Sequence, residues 1–393
     1  MRSADAPKIV EITRARLGAA ETCCKSGSAT FVRYNGPMSL GPLRLFCVIV
    51  AVAASLTAAD RAPAVGQEVT GAVSGAKSGT ASAVDLSAAL KEASGLPRLR
   101  SLLVEQHGEL ILEKYFHGAR AEMPADVKSV SKSVISALTG IAIDRKLLRD
   151  VHQPIAAFFP ELASASADPK KRAITIEDLL TMRSGLESTS RGNYGAWVRS
   201  PDWVHFILSR RLVAAPGEDM EYSTGNTHLL SAILTKVSGS DTWKFAQDNL
   251  AMPLGFKLAR WFRDPQGIYF GGNEMLLTSR QMLTIGELYL HHGRAGDRQV
   301  VPAAWVEASF VPRTESHISG QKYGYGWWIS EMAGHAVDFA WGFGGQYIFI
   351  VRDLDLVVVT TSSPNVGEDR REHREALKDL VDRLVVAAIA SRN

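Results

Sequence analysis

Short apolar runs of strand length stand on either side of a long stretch in which apolar residues recur at three- and four-residue steps. Residues 99–106 and 109–116 read as two strands, with His107-Gly108 between them as a hairpin turn. From residue 129 the period changes. Val134, Ile135, Leu138, Ile141 and Ala142 mark one face of a helix running from Ser129 to Lys146. Helical patterns then dominate as far as Ser309, including an apolar helix from Leu229 to Val237, with long loops at 184–200 and 260–275. Late strands are expected at 326–330, 337–341, 347–351 and 356–361, and a final helix at 370–390. Strands at both ends with helices between them predict an α/β (α+β) architecture. One antiparallel sheet carries terminal helices and a large helical insert, and a site would lie in the crevice between sheet and insert. Tyr194, Trp197, Trp203, Tyr269 and Trp341 are aromatic candidates for its lining, though core or rim positions suit them equally.

The N-terminal stretch reads differently. Residues 38–59 combine Arg44, an apolar run and small residues ahead of Asp60, which is signal-peptide architecture, and the run is short for a spanning helix. Cleavage fits after Ala53 or Ala59, and an uncleaved anchor is the competing reading. Residues 1–37 are out of place before a signal, so translation is expected to start at Met38, with a disordered leader as the alternative for 1–37. Residues 60–95 are rich in Ala, Gly, Ser and Val and read as a flexible linker with a short helix at 85–93. The domain proper is then 96–393, exported to a periplasm or secreted, with no stable membrane insertion once the signal is gone.

Composition narrows the chemistry. An apolar share of 46% with 22% charged residues describes an ordinary globular protein. A net charge of +3 over 393 residues, with no long Lys/Arg run, argues against a nucleic-acid partner. Lys170-Lys171-Arg172 reads as a solvated turn. The three cysteines, Cys23, Cys24 and Cys47, all precede the domain, which therefore has no disulfide, cysteine nucleophile or thiolate metal site. Neither His-Glu-x-x-His, Gly-x-Ser-x-Gly nor a Gly-rich phosphate loop occurs. No metal or organic cofactor is expected.

Three segments carry candidate chemistry. Ser-x-x-Lys occurs at Ser74/Lys77, Ser129/Lys132 and Ser319/Lys322, and only Ser129 opens a long apolar helix. A serine and a lysine three apart at a helix start share a face. The lysine, if burial lowers its pKa, becomes the base that a serine nucleophile needs. Free N–H groups at the helix start suit a developing oxyanion. Next, Pro216-Gly217 leads to Tyr222-Ser-Thr224-Gly-Asn226, with Tyr222 at a turn rather than on the apolar face of the following helix. A phenol there could relay a proton beside Lys132, or could be a half-buried structural tyrosine. Finally, Ala340-Trp-Gly342-Phe343-Gly344-Gly345-Gln346 puts three glycines between two strands, where a backbone comes close to a ligand or another segment, or simply turns.

Taken in order, these segments resemble the penicillin-recognising serine hydrolases: class C β-lactamases, family VIII carboxylesterases, D-aminopeptidases and 6-aminohexanoate-dimer hydrolases. Tyr222 falls about ninety positions after Ser129, as in that superfamily. Stretches beginning at Ile174, Gly271 and Val301 match further signatures, so the likeness runs from Leu96 to the C-terminus. The resemblance implies a β-lactamase/transpeptidase-like fold. It implies Ser129 as the acylated nucleophile, Lys132 and Tyr222 as the acid–base pair, and backbone N–H groups of Ser129 and Phe343 as the oxyanion hole. Thr224, Gly342 and Gly344 would contact substrate. Two departures bear on what that substrate is. The Gly-rich strand lacks the lysine or histidine that holds a β-lactam carboxylate, offering Ala340 and Trp341 instead. Thr224 replaces the asparagine of the tyrosine motif and brings a hydroxyl but no amide. Both changes, with Thr181-Met-Arg-Ser-Gly185, resemble the esterase and 6-aminohexanoate-dimer hydrolase branches. The expected partner is a small-molecule ester or amide. D-Aminopeptidase, D,D-carboxypeptidase or β-lactamase activity is the nearest alternative, and a non-catalytic member binding peptidoglycan or a partner is an alternative of another class.

Overall fold

The computed structural model describes residues 84–164 and 168–392. The expectations for residues 1–37 and 38–59, for the linker up to residue 83 and for Ser74/Lys77 lie outside the described residues.

An eight-stranded sheet organises the domain. Its strands are β1 (Leu99–Gln106), β2 (Glu109–Tyr115), β3 (Thr314–Glu315), β4 (Lys322–Tyr323), β5 (Trp328–Met332), β6 (His335–Gly342), β7 (Gln346–Val351) and β8 (Leu356–Ser362). They run in the order β2-β1-β8-β7-β6-β5-β4-β3, and each neighbouring pair is antiparallel. The first strand thus pairs with the last, Leu103 opposite Val359. The β1–β2 turn is His107-Gly108, both at positive φ (52° and 74°), which matches the right-handed twist of a tight hairpin.

Alternation of side chains across the pleat gives the sheet two buried faces. Leu103, Ala340, Ile348, Ile350, Val357 and Val359 face the helical insert. Leu102, Val104, Phe339, Phe349, Val351 and Val358 face the terminal helices. Each such aliphatic side chain contributes roughly 1.5–3 kcal/mol by leaving water. On the insert side lie α2 (Ser131–Asp144), α3 (Thr224–Ser238) and α4 (Ser279–Leu290), with α4 across β1, β7 and β8. On the other side lie α1 (Ser87–Gly95) and α5 (Arg370–Asp379). α5 continues through a widened π stretch, Leu380–Val386, into Ala387–Ala390. Leu86, Ala89 and Ala93 are buried, so residues 84–95 pack against the domain instead of forming part of a free linker.

Among the described residues, no helix is long and apolar enough to cross a membrane. The late strands fall within two residues of their expected bounds. α3 begins at Thr224, five residues before its apolar run, and ends at Gly239 in the left-handed region.

Candidate active site

The Ser129 turn is held from both sides. Ala125–Asp126 pairs with Leu276–Leu277, and the Val127 N–H donates to the Met275 carbonyl. Lys128 then takes φ +49°, uncommon for a residue with a side chain, and its ammonium bridges Asp126 (2.5 Å) and Glu274 (3.0 Å). The chain proceeds through one 3₁₀ turn, Lys128–Val130, before α2 starts at Ser131. Ser129 therefore sits two residues ahead of the α-helix it was expected to open. The 3₁₀ turn still brings Lys132 back to it.

Lys132 is the centre of the arrangement. It is 2% exposed, and its Nζ lies 3.1 Å from Ser129 Oγ, 3.2 Å from Thr224 Oγ1 and 2.7 Å from the Gly272 carbonyl oxygen. Burial lowers its pKa to about 7. Tyr222 completes the group, its ring 5.2 Å from Lys132 Nζ. Burial pushes the Tyr222 phenol up to about 12, against the opposing pull of a hydrogen bond with Ser129. The phenol thus remains protonated. Its ring stacks on Trp328 at 5.8 Å and meets Tyr323 edge-on at 6.4 Å. Thr224 is anchored in turn by Ser190, whose Oγ accepts from the Thr224 N–H (2.7 Å) and lies 2.8 Å from its hydroxyl.

The Gly-rich turn closes the other side. A methyl group on Gly342 would come within 2.2 Å of the Val127 carbonyl oxygen, so only glycine lets β6 end against the Ser129 turn. Phe343 follows, 39% exposed, lining the same cleft as Ser129. Gly342 and Gly344 do not line it. Gly344, at φ +94°, turns its carbonyl back toward Arg98 Nη2 (3.3 Å).

The cleft has a volume of about 860 Å³ and is lined by Ser129, Tyr222, Thr224, Trp328, Trp341 and Phe343 among others. Of the aromatic candidates, Tyr194 and Trp341 reach it, whereas Trp197, Trp203 and Tyr269 are buried core residues. Ser319 lies on its rim, and Lys322 is exposed on β4. Ala340 is buried and uncharged, yet the wall does carry cations: Arg374 and Lys378 on α5, and Arg191. Ser190 and the Gly272 carbonyl were not singled out from the sequence. The Gly271-Gly272 pair was visible as a signature, but nothing in two glycines says that one carbonyl will face a lysine.

Residues 88–382 match the Beta-lactamase family, and the chain belongs to it. Its members are serine hydrolases, and the antiparallel sheet flanked by helices is their fold. Similar solved structures include a proposed 6-aminohexanoate-dimer hydrolase from Bacillus anthracis (19% identity, TM-score 0.61, covering 73% of this chain and 80% of that one). EstCE1, a hydrolase with promiscuous acyltransferase activity, aligns at 18% identity and TM-score 0.60, over 75% of this chain and 97% of its own. A D-stereospecific amidohydrolase from Streptomyces aligns at 16% identity and TM-score 0.59, over 75% and 98%. Protein flp of Staphylococcus aureus is 26% identical over 170 residues, 39% of this chain; the chain spans about a third of that relative's length.

Proposed function

We propose that this chain is a serine hydrolase that cleaves ester or small-amide bonds through an acyl-enzyme at Ser129. The observation that carries the reading is Lys132: a buried amine, 3.1 Å from the Ser129 hydroxyl, with a pKa near neutrality. A neutral amine has two N–H groups and one lone pair. With the N–H groups directed to the Gly272 carbonyl and Thr224 Oγ1, the lone pair is left facing Ser129. Ser129 Oγ attacks the substrate carbonyl carbon as its proton passes to Lys132. Backbone N–H groups of Ser129 and Phe343 receive the oxyanion. Tyr222, still protonated, gives its proton to the leaving alcohol or amine and is reprotonated from Lys132. Water then attacks the acyl-enzyme by the same path in reverse.

Preference for esters and small amides over β-lactams rests on the strand, where Ala340 and Trp341 supply no cation for a ring carboxylate. The test is intact-mass labelling with a fluorophosphonate, run alongside Ser129→Ala, followed by p-nitrophenyl esters, amides, D-amino-acid anilides and nitrocefin. One adduct that vanishes in the variant, with ester turnover exceeding nitrocefin turnover, is the expected result. A folded protein that takes no label would sink the acyl-transfer reading. Faster nitrocefin turnover would sink the ester preference alone.

A further inference from the structure

Behind the cleft lies a buried pair that the mechanism above does not use. His228 stands on α3, six residues after Tyr222, and Asp264 lies in the 260–275 loop; both side chains are fully buried. His228 Nε2 is 3.1 Å from Asp264 Oδ2. The Gly271 N–H donates to His228 Nδ1 at 3.4 Å, so Nδ1 carries a lone pair and the proton sits on Nε2, directed at the carboxylate. Both ring nitrogens are thus engaged. Trp197, Trp203 and Phe270 enclose it, with ring centroids 5.3–5.9 Å away. Asp264 also accepts the Ile268 N–H at 2.8 Å, which closes its own loop.

What this pair holds is the strand of chain leading to Gly272. Gly271 packs so tightly on α3 that a methyl group there would meet the Thr227 carbonyl at 2.3 Å. The next residue turns its carbonyl to Lys132 Nζ at 2.7 Å, the shortest of the three contacts that Nζ makes. A histidine–carboxylate pair enclosed by aromatic rings is costly to bury unless its partners are fixed. Here the partners are the two limbs of the loop that delivers that carbonyl. We infer that His228 and Asp264 are positioning residues for the candidate base: by pinning the Gly271 N–H they fix the Gly272 carbonyl against Lys132, and so aim the amine's lone pair at Ser129. The inference rests on the acyl-transfer reading above.

Two consequences separate positioning from packing. Freed from its pin, the Gly272 carbonyl no longer orients Lys132, and serine acylation slows by about tenfold or more. The ammonium also loses an acceptor, so the pH midpoint of acylation falls by roughly half a unit or more. Ser129 and Tyr222 are the side chains that face Lys132 alongside Thr224, and none of them is altered by changes at His228.

The experiment is the rate of fluorophosphonate labelling against pH, with a thermal melt, for the full chain and for His228→Leu, His228→Asn and Ser129→Ala. Leucine keeps bulk but neither nitrogen. The asparagine Oδ1 stands where Nδ1 was and still accepts from Gly271. The expected result is slow labelling and a lowered midpoint in His228→Leu, both largely restored in His228→Asn. Wild-type rate and midpoint in His228→Leu would overturn the inference, as would equal slowing of both variants at an unchanged midpoint, which is what a packing role predicts. If His228→Leu does not fold, Asp264→Asn serves in its place. In either orientation its NH2 faces a donor, the Ile268 N–H or the His228 Nε2–H, so one acceptor is lost and the same loop loosens; an unchanged midpoint there would again overturn the inference. Absence of labelling in the wild type, or labelling that survives Ser129→Ala, fails the acyl-transfer reading itself and the inference with it.

Discussion

At the scale of single residues, Lys132 is where stability and chemistry are opposed. Its ordinary pKa is 10.5 and burial brings it to about 7. Between those values the unfolded chain holds a proton that the folded one has released, so folding stability from this group rises with pH from about 7 to about 10.5. Below about 7 both states are protonated and the cost of a buried ammonium is present in full. On the proposed mechanism only the neutral amine accepts the Ser129 proton, so the acylation rate should rise with pH and reach half its plateau near 7. Lys132→Met should abolish acylation yet raise the melting temperature at pH 6, worth on the order of 1–2 kcal/mol, with the gain shrinking toward pH 10. Melts of both proteins across that range are the check, and a gain independent of pH would refute the assignment. Ser129, Lys132, Tyr222 and Thr224 were legible because each is a side chain with its own chemistry at a telling spacing. The Gly272 carbonyl was not, because a backbone acceptor carries no residue signature. The aromatic candidates divided for a related reason: Trp197 and Trp203 have the same composition signal as Trp341 but close the insert's own core.

Among elements, the Ser129 turn depends on what touches it from outside. β6 ends at Gly342, and its approach to Val127 brings the Phe343 backbone beside the Ser129 turn. Gly342→Ala would force that contact apart, since carbon and oxygen cannot stand 2.2 Å from each other. The variant should fold, because the strand's remaining ladder from Asp338 to Trp341 is untouched, but its acylation rate should fall by roughly 10²-fold. Labelling at wild-type speed would show that this approach does not matter to the reaction. Strands of five or more residues were readable from sequence because their β-branched runs are long enough to have a period. Thr314–Glu315 and Lys322–Tyr323 are too short to show one, and they join the sheet only through β5. The helix start was misplaced by two residues because Ser-x-x-Lys suits a 3₁₀ turn as well as an α-helix, and the choice was made by the Lys128 bridge to Glu274, a residue far along the chain.

Across the whole molecule, the sheet closes the ends of the domain onto each other, and a carboxyl group is buried in that closure. Glu105 lies on β1 opposite Val357, 5% exposed, on the face covered by α4. Burial, then a hydrogen bond with Glu287 on α4 and the nearby Asp355, raise its pKa well above the usual carboxylate range. The folded state therefore keeps a proton on Glu105 that the unfolded chain gives up above its ordinary value of 4.5. Its contribution to stability is full at acid pH and is lost as pH rises from about 4.5 through the raised folded value. Lys132 works in the opposite sense at higher pH, so the two contributions together pass through a minimum where the windows meet, between about 7 and about 8. Glu105→Gln keeps a hydrogen-bond donor toward Glu287 and cannot ionise. It should match the wild type at pH 5 and exceed it at pH 9 by on the order of 2 kcal/mol, without changing the pH midpoint of acylation, because Glu105 does not line the cleft. Chemical denaturation at the two pH values measures the difference. An equal shift at both would mean that Glu105 is already ionised in the folded protein and that the pair with Glu287 does not share a proton.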